Sequence, residues 1–160
     1  MDIESHDYYM QMALQQAQYA MEEGEVPTGC VIVDAGSFRR ADSVIIGKAY
    51  NQVETLSDAT AHAEMLAITQ AADAIDDWRL TDTILYVTKE PCAMCAGAIV
   101  LSRIPLVVFG AVDEERGGMS IFSILSHPAL NHRSEVMGGV LEAPCQALLQ
   151  EFFRGRRDND

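Results

Sequence analysis

Two short stretches carry residue types suited to one piece of chemistry: Thr60-Ala61-His62-Ala63-Glu64 and Lys89-Glu90-Pro91-Cys92-Ala93-Met94-Cys95. His62, Cys92 and Cys95 offer an imidazole and two thiols, the donors preferred by zinc, a borderline-soft ion. No second ligand pair follows at a spacing that would close the site. A zinc with three protein ligands keeps one position open for water, which is the catalytic rather than the structural arrangement. Glu64, two residues from His62, is placed to take a proton from that water and pass it on. Two other readings use part of this pattern. A redox Cys-x-x-Cys pair leaves His62 and Glu64 without a role. A structural zinc needs a fourth ligand from His127, His132 or Cys145, none of which stands at a familiar spacing. His6, His127 and His132 read instead as surface or loop residues.

The elements that must position these groups follow from periodicity. Tyr9, Met12, Ala13, Ala17, Ala20 and Met21 recur at helical steps, predicting an amphipathic helix from Ser5 to about Glu23, with Ser5 as N-cap and Gly24 as stop. Residues 29–33 and 43–50 read as the strands of a β-hairpin with a long tip, Ala35 to Asp42. A loop leads to a helix over 60–75, capped by Thr60 or Asp58, with His62 and Glu64 in its first turn. Residues 83–87 form a continuously apolar strand, as in the middle of a covered sheet. Pro91 opens the next helix, with Cys92 and Cys95 one turn apart on one face. The strand over 106–110 then pairs parallel to the first through a right-handed crossover. His62 and Cys92 lie 92 − 62 = 30 residues apart. They meet only if two helix N-termini converge at one end of a sheet, where α/β folds bind ligands. Residues 113–118 read as a loop, 135–137 as a weak strand and 144–153 as a last helix.

Bulk composition bounds the rest. At 160 residues the length predicts one domain, spanning 1–160, with a core large enough to need no disulfides. Cys30 and Cys145 lie in apolar runs and read as small core residues, which fits a reducing cytoplasm. No run approaches the roughly 18 apolar residues of a membrane span, and the N-terminus has no basic segment. The formal charge is −13. Phosphate contacts are made by Lys and Arg, so nucleic-acid binding requires cations gathered locally. Arg154, Arg156 and Arg157 provide such a group, although basic residues also suit the end of a helix for its dipole alone.

His-x-Glu followed by Pro-Cys-x-x-Cys is the signature of zinc nucleobase deaminases. From about His6 to Arg157 the chain resembles the bacterial tRNA-specific adenosine deaminases of the cytidine deaminase-like superfamily. The resemblance rests on Glu25-Val26-Pro27-x-Gly29, Asn51, the two metal motifs, Val107-Val108-Phe109-Gly110-Ala111-x-Asp113, Asn131-His132-Arg133 and Phe152-Phe153-Arg154-x-Arg156-Arg157. The zinc motifs specify the superfamily. The loop after Gly110, the Asn-His-Arg segment and the basic tail narrow it to the tRNA-acting branch.

The resemblance implies a three-layer α/β/α fold with a central mixed five-stranded sheet, and one zinc per subunit on His62, Cys92 and Cys95. It implies that a zinc-bound hydroxide attacks C6 of a flipped-out adenine while Glu64 shuttles the proton. Val26, Asn51 and Ala63 would line the base pocket and Asp113 would lie near the ribose. Arg154, Arg156 and Arg157 would meet the phosphates of a tRNA anticodon stem-loop, and the protein would be a cytoplasmic homodimer. The chain departs from the pattern at Lys89, where an apolar residue is usual, at Thr28 and Cys30, and in the hairpin tip. Two alternatives stand beside the RNA-editing reading. A free-base or nucleoside deaminase, such as a guanine deaminase, would not need the cationic tail. A non-catalytic zinc-binding partner subunit would not need Glu64.

Overall fold

A computed structural model describes residues 3–35 and 44–159. The elements run α1 (Ile3–Glu22), β1 (Gly29–Asp34), β2 (Val44–Tyr50), α2 (Val53–Leu56), α3 (Ala63–Ile75), β3 (Thr83–Lys89), α4 (Ala93–Leu101), β4 (Leu106–Ala111), β5 (Glu135–Met137) and α5 (Glu142–Asn159). The strands form one five-stranded sheet in the order β2-β1-β3-β4-β5. β1 is antiparallel to both β2 and β3, whereas β3, β4 and β5 run parallel. The mixed sheet, the hairpin and the parallel β3–β4 pair are those expected. Of the expected tip, only Ala35 is among the described residues.

Strand alternation sorts the core into two layers. Cys30 and Ile32 of β1, Leu85 and Val87 of β3, and Val107 and Phe109 of β4 face one side, where Ala67 of α3 and Ile99 of α4 cover them. Val31, Val33, Tyr86 and Val108 face the other side and pack on Met10 and Ala13 of α1 and Cys145 of α5. Helices therefore cover both faces, giving three layers. Fully buried side chains such as Ile99 and Leu85 contribute roughly 1.5–3 kcal/mol each. Small residues set how closely α3 approaches the sheet: a Cβ at Gly47 of β2 would lie 2.6 Å from the Ala67 carbonyl oxygen. That approach carries the N-terminus of α3 to the sheet's end.

Several boundaries differ from expectation for physical reasons. Ser5 is not a cap, because α1 already runs from Ile3. Asp58 Oδ1 accepts from the amide and hydroxyl of Thr60, both at 2.8 Å, in a turn that precedes the helix; neither residue caps α3, whose N-cap is His62. The segment after Asn51 contains the short helix α2 rather than loop alone. α5 begins at Glu142, since Pro144 is tolerated within a first turn, and continues through Gly155 to Asn159. Gly24 does end α1, at φ 77°. His6 is not a surface residue; it is 4% exposed, with Nδ1 2.8 Å from the Tyr86 hydroxyl.

Candidate active site

The metal-site residues occupy the starts of two helices. His62 is the N-cap of α3 and Cys92 the N-cap of α4, and neither helix has a side-chain cap bond. Ser, Thr, Asp or Asn usually holds that position. Here it is given over to candidate metal ligands, and two positive helix ends converge on the thiols. Cys95 follows one turn into α4 and is fully buried. Pro91 places the chain for the helix without itself being helical.

His62 Nδ1 lies 3.6 Å from Cys92 Sγ and 3.5 Å from Cys95 Sγ, and the three donor atoms fall within 4.8 Å of one another. Zinc bonds of about 2.0–2.1 Å to nitrogen and 2.3 Å to sulfur, at tetrahedral angles, space N and S about 3.6 Å apart. Both nitrogen–sulfur separations therefore match those of a zinc site. Among the described residues no other group of three is arranged to hold a metal. Cys145 packs in the layer across the sheet, His132 Nε2 is 2.8 Å from the Ile104 carbonyl oxygen, and His127 Nδ1 accepts from the Ala129 amide. The three fourth-ligand candidates are thus engaged elsewhere, and the site stays open on one side.

The electrostatics match that openness. The Cys95 hydrogen bond, assisted by one from His62, holds the Cys92 thiol down to about 3, making it the thiolate of the trio. The bond to Cys92 raises His62, while the bond to the same thiolate and burial push Cys95 upward. Glu64 is 3% exposed and burial raises its carboxyl, which also hydrogen-bonds Cys95. A buried carboxyl raised in this way holds a proton more readily than an exposed one, as suits a group that takes up a proton and passes it on.

Beside the trio opens a cavity of ≈ 230 Å³. Its wall includes Val26, Asn51, His62, Ala63, Glu64, Cys92 and Asp113, so the fold brings the expected base-pocket residues together. Asn51 is 8% exposed and its Oδ1 has no hydrogen-bond partner. A buried acceptor left unpaired costs about 1–3 kcal/mol, a cost that a ligand donor would remove. Arg156 joins the wall and stacks 5.0 Å from the Phe152 ring centroid. Arg154 is exposed and outside the cavity; Arg157 is helical, and its side chain lies outside the described set.

Sequence reasoning missed two rim residues, Glu25 and Glu90. Both are buried carboxylates that clamp a remote segment by its backbone, Glu25 the short helix α2 and Glu90 the loop after β4. Glu25 accepts from the amides of Glu54 and Thr55 at 3.0 and 2.7 Å and from the Thr55 hydroxyl at 2.7 Å. Burial alone would raise its carboxyl; the bonds from Thr55 and Glu54 and the charge of Arg156 bring it below the usual range. Glu90 accepts from the amides of Asp113, Met119 and Ser120 and from the Ser120 hydroxyl, the last at 2.6 Å. A side chain at Gly117 would run into that carboxylate. Each stands within two residues of a proline, in Glu25-Val26-Pro27 and Glu90-Pro91, but nothing in the sequence marks the amides they bind.

Residues 3–111 match the model of the cytidine and deoxycytidylate deaminase zinc-binding region. The tRNA-specific adenosine deaminase of Bacillus subtilis (strain 168) is 47% identical over 153 residues, covering 94% of this chain and 90% of that protein. A structure from studies of A-to-I editing by tRNA:A34 deaminases at the wobble position of transfer RNA superposes with a TM-score of 0.80 at 36% identity, covering 89% of this chain and 99% of that one. The guanine deaminase of Bacillus subtilis is more distant, at 31% identity and a TM-score of 0.61, covering 84% of this chain and 83% of that one. Fold, metal-site geometry and sequence agree: the chain belongs to the zinc-binding cytidine and deoxycytidylate deaminase family, and within it its likeness to the tRNA-specific adenosine deaminases runs nearly end to end.

Proposed function

We propose that this enzyme hydrolytically deaminates adenosine to inosine at the wobble position of a tRNA anticodon. The observation that carries the proposal is Glu64, a buried carboxyl joined to a three-donor zinc site on the wall of a cavity that suits a single base. At ≈ 230 Å³ the cavity is below the roughly 300–1,000 Å³ of drug-sized pockets, which supports the entry of one unstacked base. Zinc, one ion per subunit, would be held by His62, Cys92 and Cys95; when bound it makes a water nucleophilic near neutral pH. Glu64 would accept a proton from the attacking water and deliver it to the ring nitrogen, then pass the remaining hydroxyl proton to the amino group, which leaves as ammonia. Asn51 Oδ1 accepts from the base, Val26 and Ala63 flank the ring, and Asp113 faces the ribose. Arg154, Arg156 and Arg157 meet the anticodon-loop phosphates.

The whole of 1–160 acts as one deaminase domain. Exposed Leu101 on α4, with Ile121 and Phe122 on the segment beside it, supports a homodimer. Four free cysteines support a reducing, cytoplasmic setting, and no described helix is long and apolar enough to cross a membrane. The deciding experiment measures inosine from a synthetic anticodon stem-loop with wobble adenosine, with guanine and cytidine in parallel. Inosine from the stem-loop alone is the expected result. Ammonia from guanine without inosine would transfer the protein to the free-base branch.

A further inference from the structure

Lys89 ends β3, where pairing with Ala111 of β4 fixes its backbone at the cavity. Its ammonium lies 3.4 Å from Asp113 Oδ2, and the lysine side chain is 35% exposed. A strong charge-assisted bond is shorter, about 2.7–2.9 Å. Asp113 does not depend on this contact, because Oδ1 accepts from the amides of Glu115 and Arg116 at 3.1 and 3.0 Å. The aspartate side chain is 16% exposed, so the pair is half-buried; at 3.4 Å it is loose, and another anion can take the place of Asp113 at the ammonium.

The rest of the wall explains why a cation is needed there. Glu25, Glu54, Glu64, Glu90 and Asp113 all line the same cavity, in a chain of formal charge −13. A nucleotide inserting its base brings at least one more negative charge to this mouth. Arg156, the other cation on the wall, is stacked on Phe152 and its charge acts on Glu25. Lys89 is held on a strand end, beside the carboxylate assigned to the ribose.

We infer that Lys89 binds a phosphate of the target nucleotide, exchanging Asp113 for it and releasing Asp113 Oδ2 to accept from a ribose hydroxyl. This rests on the nucleotide-deaminating reading given above. The lysine is then a substrate-binding residue, and its contribution falls on KM and Kd rather than on the chemical step.

The experiment is a cycle between side chain and linkage. Wild type and Lys89→Met are compared on the anticodon stem-loop, and on the same RNA carrying a neutral methylphosphonate on the 5′ or the 3′ side of the target adenosine. Lys89→Met is expected to weaken binding on the order of tenfold and to lower the slope of log affinity against log salt by about 0.7. One neutral linkage should cost the wild type a similar factor and the variant almost nothing, with Lys89→Arg restoring most of the loss. Adenosine 5′-monophosphate and adenosine, run in parallel, separate a strand phosphate from a free one: the former makes the Lys89 effect specific to RNA. Equal losses from Lys89→Met on native and both neutral linkages, at unchanged zinc content and melting temperature, would overturn the inference and leave Lys89 a partner of Asp113 only. A wild type that makes no inosine from any stem-loop would instead overturn the functional reading, and this one with it.

Discussion

The floor of the cavity and its rim are built by different means. The floor consists of His62, Glu64 and Cys92, with Cys95 buried 3.5 Å from His62, at the starts of two helices whose positions follow from strand pairing and helix packing. The rim consists of the short helix α2 and the loop after β4, held in place by two buried carboxylates, Glu25 and Glu90, which bind backbone amides 23–30 residues away. Three buried carboxyls thus surround one cavity with unlike duties. Glu64 is joined to the thiols of the metal site, whereas Glu25 and Glu90 are saturated with backbone donors. A carboxylate that accepts three or four strong bonds is a fastener; one beside an open metal site is free to exchange protons. Removing each should separate chemistry from architecture.

The largest effect belongs to the metal ligands. Cys95→Ala leaves two donors, and we expect loss of bound zinc by elemental analysis together with loss of all measurable deamination. Retention of one zinc per chain would show that Cys95 is not a ligand. Glu64→Gln comes next. It preserves shape and removes the transferable proton, so kcat should fall on the order of 10²–10⁴-fold with zinc content unchanged. Metal loss in that variant would move Glu64 from proton carrier to ligand.

At the rim the loss should appear in stability first. Glu90→Ala leaves three part-buried bonds without their acceptor and opens space beneath Gly117, which predicts destabilisation of about 1–3 kcal/mol. Denaturant unfolding of the zinc-loaded protein measures it. Activity at low temperature should fall far less than in Glu64→Gln. A variant as stable as wild type would mean that the segment over 113–120 is positioned without the carboxylate.

The same contrast explains what was legible in the sequence. The floor was readable because metal chemistry restricts residue type and helix starts restrict spacing: His62, Glu64, Cys92 and Cys95 announced themselves in two short motifs. The sheet was readable because β1, β3 and β4 carry continuous apolar runs, as strands covered on both faces must. What failed was capping. Asp58 and Thr60 satisfy each other in a turn, and the N-cap positions of α3 and α4 went to candidate metal ligands, so cap preference pointed to the wrong residues. α5 is longer than the expected 144–153, starting two residues earlier and running through Gly155 to Asn159. The clamps were invisible for a different reason. Glu25 and Glu90 are recognisable only through the amides they bind, and backbone amides leave no mark in a sequence.

Glu25 gives the smallest effect and the finest test of the fastener idea, because its role carries a pH signature. Its folded-state carboxyl is lowered relative to the ordinary value of 4.5, since the bonds from Thr55 and Glu54 and the Arg156 charge outweigh burial, which acts the other way. A group lowered on folding stabilises the protein above its unfolded pKa, and that contribution fades as pH falls through the folded value. Glu25→Gln keeps the shape but has one acceptor oxygen for three donors, so it should cost about 1–2 kcal/mol at pH 7. The gap between wild type and variant should be constant down to about pH 5 and shrink below 4.5 as the wild-type carboxyl takes up a proton. Melting curves between pH 3.5 and 7 measure this directly. A gap that stays parallel through the acid range would show that Glu25 holds α2 by packing and not by charge, and the likeness drawn between it and Glu90 would no longer hold.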